Sequence, residues 1–164
     1  MDAIEMLKSR RSVREFETTP VEKSVIEDIV DCGRLAASAL NQQPWHFIAV
    51  TDEAVRKEIA KIAPNGKYIA TAPVCIVTVA KKDSGYKVED GSAATQNMLN
   101  AAKAHGLGSC WVAGYGKPYA EEICKLLGVP DNYTLISMMP VGVAVKPSEP
   151  VKKPLGEVLS WEKF

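Results

Sequence analysis

The run Arg10, Arg11, Ser12, Val13, Arg14 is where residue type points most directly to chemistry. The chain uses 15 lysines and only five arginines, yet three of those five fall within this run. Lysine serves solubility elsewhere, whereas arginine supplies a planar, permanently charged fork that matches phosphate oxygens in a bidentate way. Ser12 adds a hydroxyl donor. In an extended segment, residues two apart face the same way, so Arg10, Ser12 and Arg14 share one side and Arg11 points away. A phosphate dianion fits that side. The competing reading is that the arginines offset a helix dipole after Ser9, or form surface ion pairs with Glu15 and Glu17.

A second polar stretch runs Ser38-Ala-Leu-Asn41-Gln42-Gln43-Pro44-Trp45-His46-Phe47. Asn41 and Gln43 carry paired donors and acceptors suited to the edge of a planar heterocycle; Pro44 fixes the turn, and Trp45 and Phe47 can pack the strand that follows. A plain polar loop ahead of an aromatic strand fits as well. The third stretch, Gly106 to Gly116, is glycine-rich but lacks the third glycine of G-x-G-x-x-G in register, and no G-x-x-x-x-G-K-[ST] pattern occurs. A dinucleotide or P-loop fingerprint is therefore absent. Its glycines are expected to stop a helix and to let a flat ligand approach the backbone near Trp111.

Other chemistry lacks visible machinery. There is no G-x-S-x-G elbow, and the acidic pairs Glu89-Asp90 and Glu121-Glu122 sit at expected helix starts, where favourable interaction with the helix dipole suffices to explain them. Cys32, Cys75, Cys110 and Cys124 are scattered without a C-x-x-C pair, and His46 and His105 stand far apart, so no metal centre is expected. If the chain is an enzyme, a bound cofactor is expected to supply the reactivity.

The elements that would position these residues follow from capping and periodicity. Asp2 and Glu5 frame a first helix over Ala3 to Ser9, which delivers the arginine run at its end. Thr19, Pro20 and Glu22 predict a second helix from Pro20 to about Ala37. Trp45 to Thr51 reads as a strand, Glu53 to Ile62 as a helix, and Val74 to Ala80 as a strand apolar on both faces. A long small-residue helix is expected from about Glu89 to His105, then a strand over Ser109 to Ala113, a helix over Pro118 to Leu127 and a strand over Thr134 to Val145. Helices interleaved with strands make an α+β or α/β layered class.

At 164 residues the chain suits a single domain, 1–164. Twenty basic residues balance twenty acidic ones, which argues against nucleic acid or an anionic membrane as partner. The longest apolar stretches are too short to span a bilayer, and the N-terminus lacks a basic-then-apolar leader, so a cytoplasmic protein is expected. Residues 146–164 combine prolines and lysines with apolar Leu155, Val158, Leu159, Trp161 and Phe164, a tail that wants a surface to cover.

Four strings occur together in order: Ser9-Arg-Arg-Ser-Val-Arg-Glu-Phe16, Ala37-Ser-Ala-Leu-Asn-Gln-Gln-Pro-Trp-His-Phe47, Gly106-Leu-Gly-Ser-Cys-Trp111 and Lys152-Lys-Pro-Leu-Gly-Glu-Val158. By them the chain resembles the nitroreductase-like FMN-dependent oxidoreductases, in a compact form. The resemblance implies a mixed sheet flanked by helices and a homodimer with FMN sites between subunits, the 146–164 tail packing on the partner. Arg10, Arg11, Ser12 and Arg14 then look like phosphate and ribityl ligands, joined by Lys152 or Lys153. Asn41, Gln43, Pro44 and Trp45 would approach the flavin of the partner subunit. Trp111, Val112 and Gly114 would line the ring, and the small-residue helix would be a dimer helix. The implied reaction is ping-pong: NADH or NADPH delivers hydride to flavin N5, and a nitroaromatic, quinone or similar electron-poor small molecule takes the electrons, with no side chain as nucleophile or base. Alternatives are a specialised branch (reductive dehalogenation or flavin breakdown) or a flavin carrier or regulatory protein with little turnover. Short stretches between Thr51 and Val74, and between Ala80 and Glu89, leave out the lid helices of longer relatives.

Overall fold

The computed structural model describes residues 2–146 and 150–164, so residues 147–149 of the expected tail lie outside the described residues. Helix α1 spans Ala3–Ser9, and Arg10 leaves it at φ −62° and ψ 131°, so the arginine run departs as an extended segment, as the sequence predicts. Helix α2 is shorter than expected, Lys23–Arg34, with Glu22 still outside it. The capping pattern at Thr19 yields to packing: the Thr19 hydroxyl donates to Glu17 (3.4 Å) rather than accepting a helix N–H, and Val21 lies against the core.

Strands β1 (Trp45–Val50), β2 (Val74–Lys81), β3 (Gly108–Ser109), β4 (Val112–Ala113) and β5 (Tyr133–Gly142) form one sheet in the order β1-β2-β5-β3, with β4 also on β5. All these pairings are antiparallel. The parallel element that makes the sheet mixed is a single bridge, Ser12 to Ser109, where the arginine segment runs beside β3.

Helix α2 and the long α4 (Lys87–Ala104) cover one face; α3 (Glu53–Ile62) and α5 (Ala120–Leu126) cover the other. The buried run of β2 therefore sends Val74 and Ile76 to one cluster and Cys75, Val77 and Val79 to the other, the pattern of a strand buried on both faces. Opposite Thr78 and Val79 the register slips by one residue, and Ile136 is the extra residue on β5. The bulge turns both Ile136 and Ser137 toward α4: a Cβ on Gly91 would lie 2.9 Å from Ile136, and Thr95 exchanges a 2.7 Å hydrogen bond with Ser137.

The expected strand over Ser109 to Ala113 is broken into β3 and β4. The cause lies across the ladder: Pro140 accepts the Cys110 N–H at 3.4 Å but has no N–H to return, so pairing lapses at Cys110 and Trp111. The small residues of α4 are also accounted for within the chain. Gly91, Ala94, Thr95, Ala101 and Ala102 are buried between the sheet and α2, and a Cβ on Gly33 of α2 would stand 2.6 Å from Met98. Ala93 and Asn97 of the same stripe stay only partly covered, and His105 just after the helix is exposed.

Candidate functional site

The arginine segment is held by backbone. Val13 donates its N–H to Ser109 at 2.9 Å and lays its side chain over Gly108, where a Cβ would meet it at 2.7 Å. On one flank opens a groove of about 560 Å³ lined by Ser9, Arg10, Arg11, Val13, Lys103, Gly106 to Ser109, Ala144 and Pro150. Its three cations face no carboxylate among the described lining residues.

The two sequence readings of the run divide between its members. Arg11 was expected to point away from Arg10; instead both border the groove, while the Arg11 guanidinium donates to the carbonyls of Lys8 (2.7 Å) and Arg10 (2.8 Å). It therefore serves the C-terminal end of α1, as the dipole reading had it. The ion-pair reading is not met: Glu15 pairs with Lys146 at 3.7 Å, and among the described residues no ion pair involves Arg10, Arg11 or Arg14.

Ser12 and Arg14 stay out of that lining, opposite Val13. The Arg14 guanidinium carbon stands 5.9 Å from the centre of the Tyr68 ring, and the Tyr68 hydroxyl lies 3.4 Å from Cys110 Sγ. Burial and the Cys110 contact push the Tyr68 pKa well above the tyrosine range, Arg14 opposing them only in part, so this hydroxyl stays protonated. Trp111 is half-buried against the α2/α4 cluster. Val112 is 2% exposed, its side chain committed to the α3/α5 cluster, so only its backbone is left for a ligand. The missing side chain of Gly114 is explained by its own chain, since a Cβ there would be 2.4 Å from Leu135, and its N–H goes to Ile136 (3.0 Å). Gly108 and Gly114 thus each meet a packing requirement of the chain itself.

The second polar stretch is built differently. A short 3-10 turn over Ala39–Asn41 holds Leu40 (φ 51°) and Asn41 (φ 56°), and Gln43 follows at φ 48°; three non-glycine residues in the left-handed region store strain. Gln43 donates its backbone N–H to Ser38 Oγ (3.0 Å), and its amide donates to Asn41 Oδ1 (3.1 Å). Asp90, read from sequence only as a residue for its helix start, instead reaches across the fold to accept the Ala39 N–H at 3.0 Å. Its other oxygen is buried without a partner among the described residues. Pro44 is buried, and Trp45 stacks on Phe47 with ring centres 6.3 Å apart.

Within one chain the structure sets the arginine segment beside Ser109, two residues before Trp111, but not beside Asn41 to Trp45. The loop leads into β1 at one sheet edge, while the arginine segment lies beyond β3 at the other, four strand spacings or roughly 19 Å away across the sheet alone. Helix α4 carries Asp90 beside the loop and Lys103 in the groove, thirteen residues and about 20 Å apart. Pro150 borders the groove, and Lys152 and Lys153 follow it, exposed, as do Leu155, Val158 and Trp161. Sequence reasoning missed Lys103, Tyr68 and Asp90. Lys103 had a usable signal, a cation three residues before the helix-stopping Gly106; Tyr68 had none.

A cationic donor set of Arg10, Arg11 and Lys103, with the Ser9 hydroxyl beside it, fits the phosphate end of FMN. Among the described residues no cluster of His, Cys, Asp or Glu suits a metal, and no helix is long and apolar enough to cross a membrane.

The Nitroreductase family profile matches residues 7–66 and 64–143. The chain is 34% identical over 147 residues, 87% of its own length and 77% of the other's, to a Methanothermobacter thermautotrophicus protein provisionally named NADH dehydrogenase/NAD(P)H nitroreductase. It superposes with a TM-score of 0.93 and 32% identity on the crystal structure of a Parabacteroides distasonis protein of the same provisional name, covering 99% of this chain and 98% of that one. An FMN-dependent nitroreductase from Clostridium difficile R20291 gives a TM-score of 0.92 at 26% identity, covering 98% and 99%. Both solved chains are covered almost end to end, so the compact form is shared.

Proposed function

The chain belongs to the nitroreductase family, and from that premise we propose that it is an NAD(P)H-dependent oxidoreductase that binds FMN along the arginine segment and acts as a homodimer on a nitroaromatic, quinone or similar acceptor. The observation that carries this reading is the cationic groove at the end of α1, where Arg10, Arg11 and Lys103 meet with no described carboxylate to neutralise them. Arg10 and Lys103 would hold the phosphate, with Lys152 or Lys153 added from the tail that begins beside the groove, and Ser12, outside the groove, would serve the ribityl chain. Arg14 would present its guanidinium toward the ring end, next to Trp111. When bound, FMN supplies the redox chemistry, accepting hydride from NADH or NADPH and passing electrons to the acceptor.

The other polar stretch supports the dimer. Asn41, Gln43, Pro44 and Trp45 lie more than about 19 Å from the arginine segment of their own chain, so they would complete the partner's site. The domain is read as residues 1–164, with 146–164 covering the partner. Exposed Leu155, Val158 and Trp161 would lose their contact with water there, and Trp45 and Trp111 would keep water from the ring.

The purified protein is expected to be yellow or to take up FMN in a fluorescence titration, and to bleach with NADH or NADPH without oxygen. Arg10→Ala is expected to weaken FMN binding about 10- to 100-fold, the loss of one charge-assisted hydrogen bond. Unchanged FMN affinity in that variant refutes the phosphate assignment, and a protein that takes up no FMN refutes the function.

A further inference from the structure

Tyr68 comes from the short stretch after α3, and it touches both Arg14 and Cys110, the residue before Trp111. Its ring packs into the small cluster of Val13, Phe16 and Ala72 beneath the arginine segment, and Arg14 lies over that ring with its guanidinium carbon 5.9 Å from the centre. Its hydroxyl lies 3.4 Å from Cys110 Sγ, and Cys110 is 1% exposed. Cys110 also sits where the ladder lapses opposite Pro140, so Cys110 and Trp111 are held less by backbone pairing than their neighbours.

We propose that Tyr68 is a positioning residue: its ring is the floor on which the Arg14 guanidinium is held, and its hydroxyl ties that floor to Cys110, so that Arg14 is held in place relative to the sheet edge. Arg14 is exposed and has no ion-pair partner among the described residues, so without a floor its side chain would pay its full rotamer entropy on meeting a ligand. The aromatic face removes much of that cost before the ligand arrives, and cation–π attraction of this kind operates at partly exposed sites. The inference rests on the FMN reading above, with Arg14 as a ligand of the flavin.

The test is a double-mutant cycle read by FMN titration of flavin-stripped full-length protein, with circular dichroism and thermal melting to check the fold. Tyr68→Leu is expected to weaken FMN binding about three- to tenfold, and Tyr68→Phe, which keeps the ring, by less than about threefold. In the Arg14→Ala background Tyr68→Leu should add less than about twofold, because its effect passes through Arg14. Wild-type affinity in Tyr68→Leu, or an equal loss with and without Arg14, overturns the proposal; the second result would mark Tyr68 as purely structural. Should Tyr68→Leu fail to fold, Tyr68→Met fills similar volume without an aromatic face and takes the same place in the cycle. A wild-type protein that binds no FMN defeats the function itself. A wild type that binds it, with Arg14→Ala weakened and Tyr68→Leu not, defeats only this inference.

Discussion

The arginine segment and the Ser38 to Pro44 loop are both polar and both assigned to one cofactor, yet they are opposites in construction. The first is relaxed: it leaves α1 extended, bonds to Ser109 through backbone and shows no left-handed residue. The second is strained, with Leu40, Asn41 and Gln43 all at positive φ and a buried aspartate reaching in to hold it. They stand at opposite edges of the sheet and near opposite ends of α4. The difference teaches that the proposed phosphate anchor needs only the right side chains on ordinary backbone. The loop needs a specific shape, which the rest of the fold must enforce.

The sharpest way to break that division of labour is to mix two damaged chains. Arg10→Ala damages the anchor. Asn41→Gly with Gln43→Gly removes the loop side chains while leaving residues that accept positive φ at no steric cost. Each homodimer is expected to bind FMN about 10- to 100-fold more weakly than wild type. A dimer of one chain of each kind should regain one tight site and keep one doubly damaged site, visible as half-stoichiometry in titration. Two equally weak sites in the mixed dimer would mean that anchor and loop serve the same chain's site, contradicting the distances that separate them.

A smaller effect is expected at Asp90. Asp90→Ala leaves the Ala39 N–H without its acceptor, at a cost of about 1 to 3 kcal/mol in urea unfolding. Amide exchange should quicken at Ala39 but not at Val13, whose acceptor is the backbone of Ser109. Asp90→Asn keeps an acceptor oxygen and should recover most of the loss. Equal quickening at both amides would show that Asp90 supports the whole fold rather than this loop.

How much of this was legible beforehand tracks how local each cause is. Helices α1 and α3 match their expected ranges; Asp52 caps α3 by accepting the Val55 N–H at 2.9 Å, whereas the expected Asp2 cap of α1 makes no side-chain hydrogen bond. Helix α2 starts late because Val21 is claimed by the core, and the β3/β4 break comes from a proline thirty residues on. The arginine run was readable because arginine is scarce in this chain and chemically distinct. Lys103 and Tyr68 join it only through tertiary packing, and no spacing rule connects residue 68 with residues 14 and 110. The strain at Leu40 was equally invisible, since nothing in its type asks for a left-handed backbone.

That strain gives the smallest and most local test. Leu40 is 89% exposed, so its side chain contributes little burial within its own chain, while its φ of 51° costs roughly 1 to 2 kcal/mol relative to glycine. Against this, glycine loses about 0.5 to 1 kcal/mol through unfolded-state entropy. Leu40→Gly should therefore leave stability unchanged or raise it by up to about 1 kcal/mol in urea unfolding. Ala49→Gly, at an exposed position of β1, serves as the control and should cost about 0.5 to 1 kcal/mol. If Leu40→Gly costs more than Ala49→Gly, the loop's shape is not a strain held by its surroundings, and the contrast with the arginine segment fails. If stability holds while the dimer dissociates more readily in light scattering, the exposed leucine earns its strained position at the partner's surface.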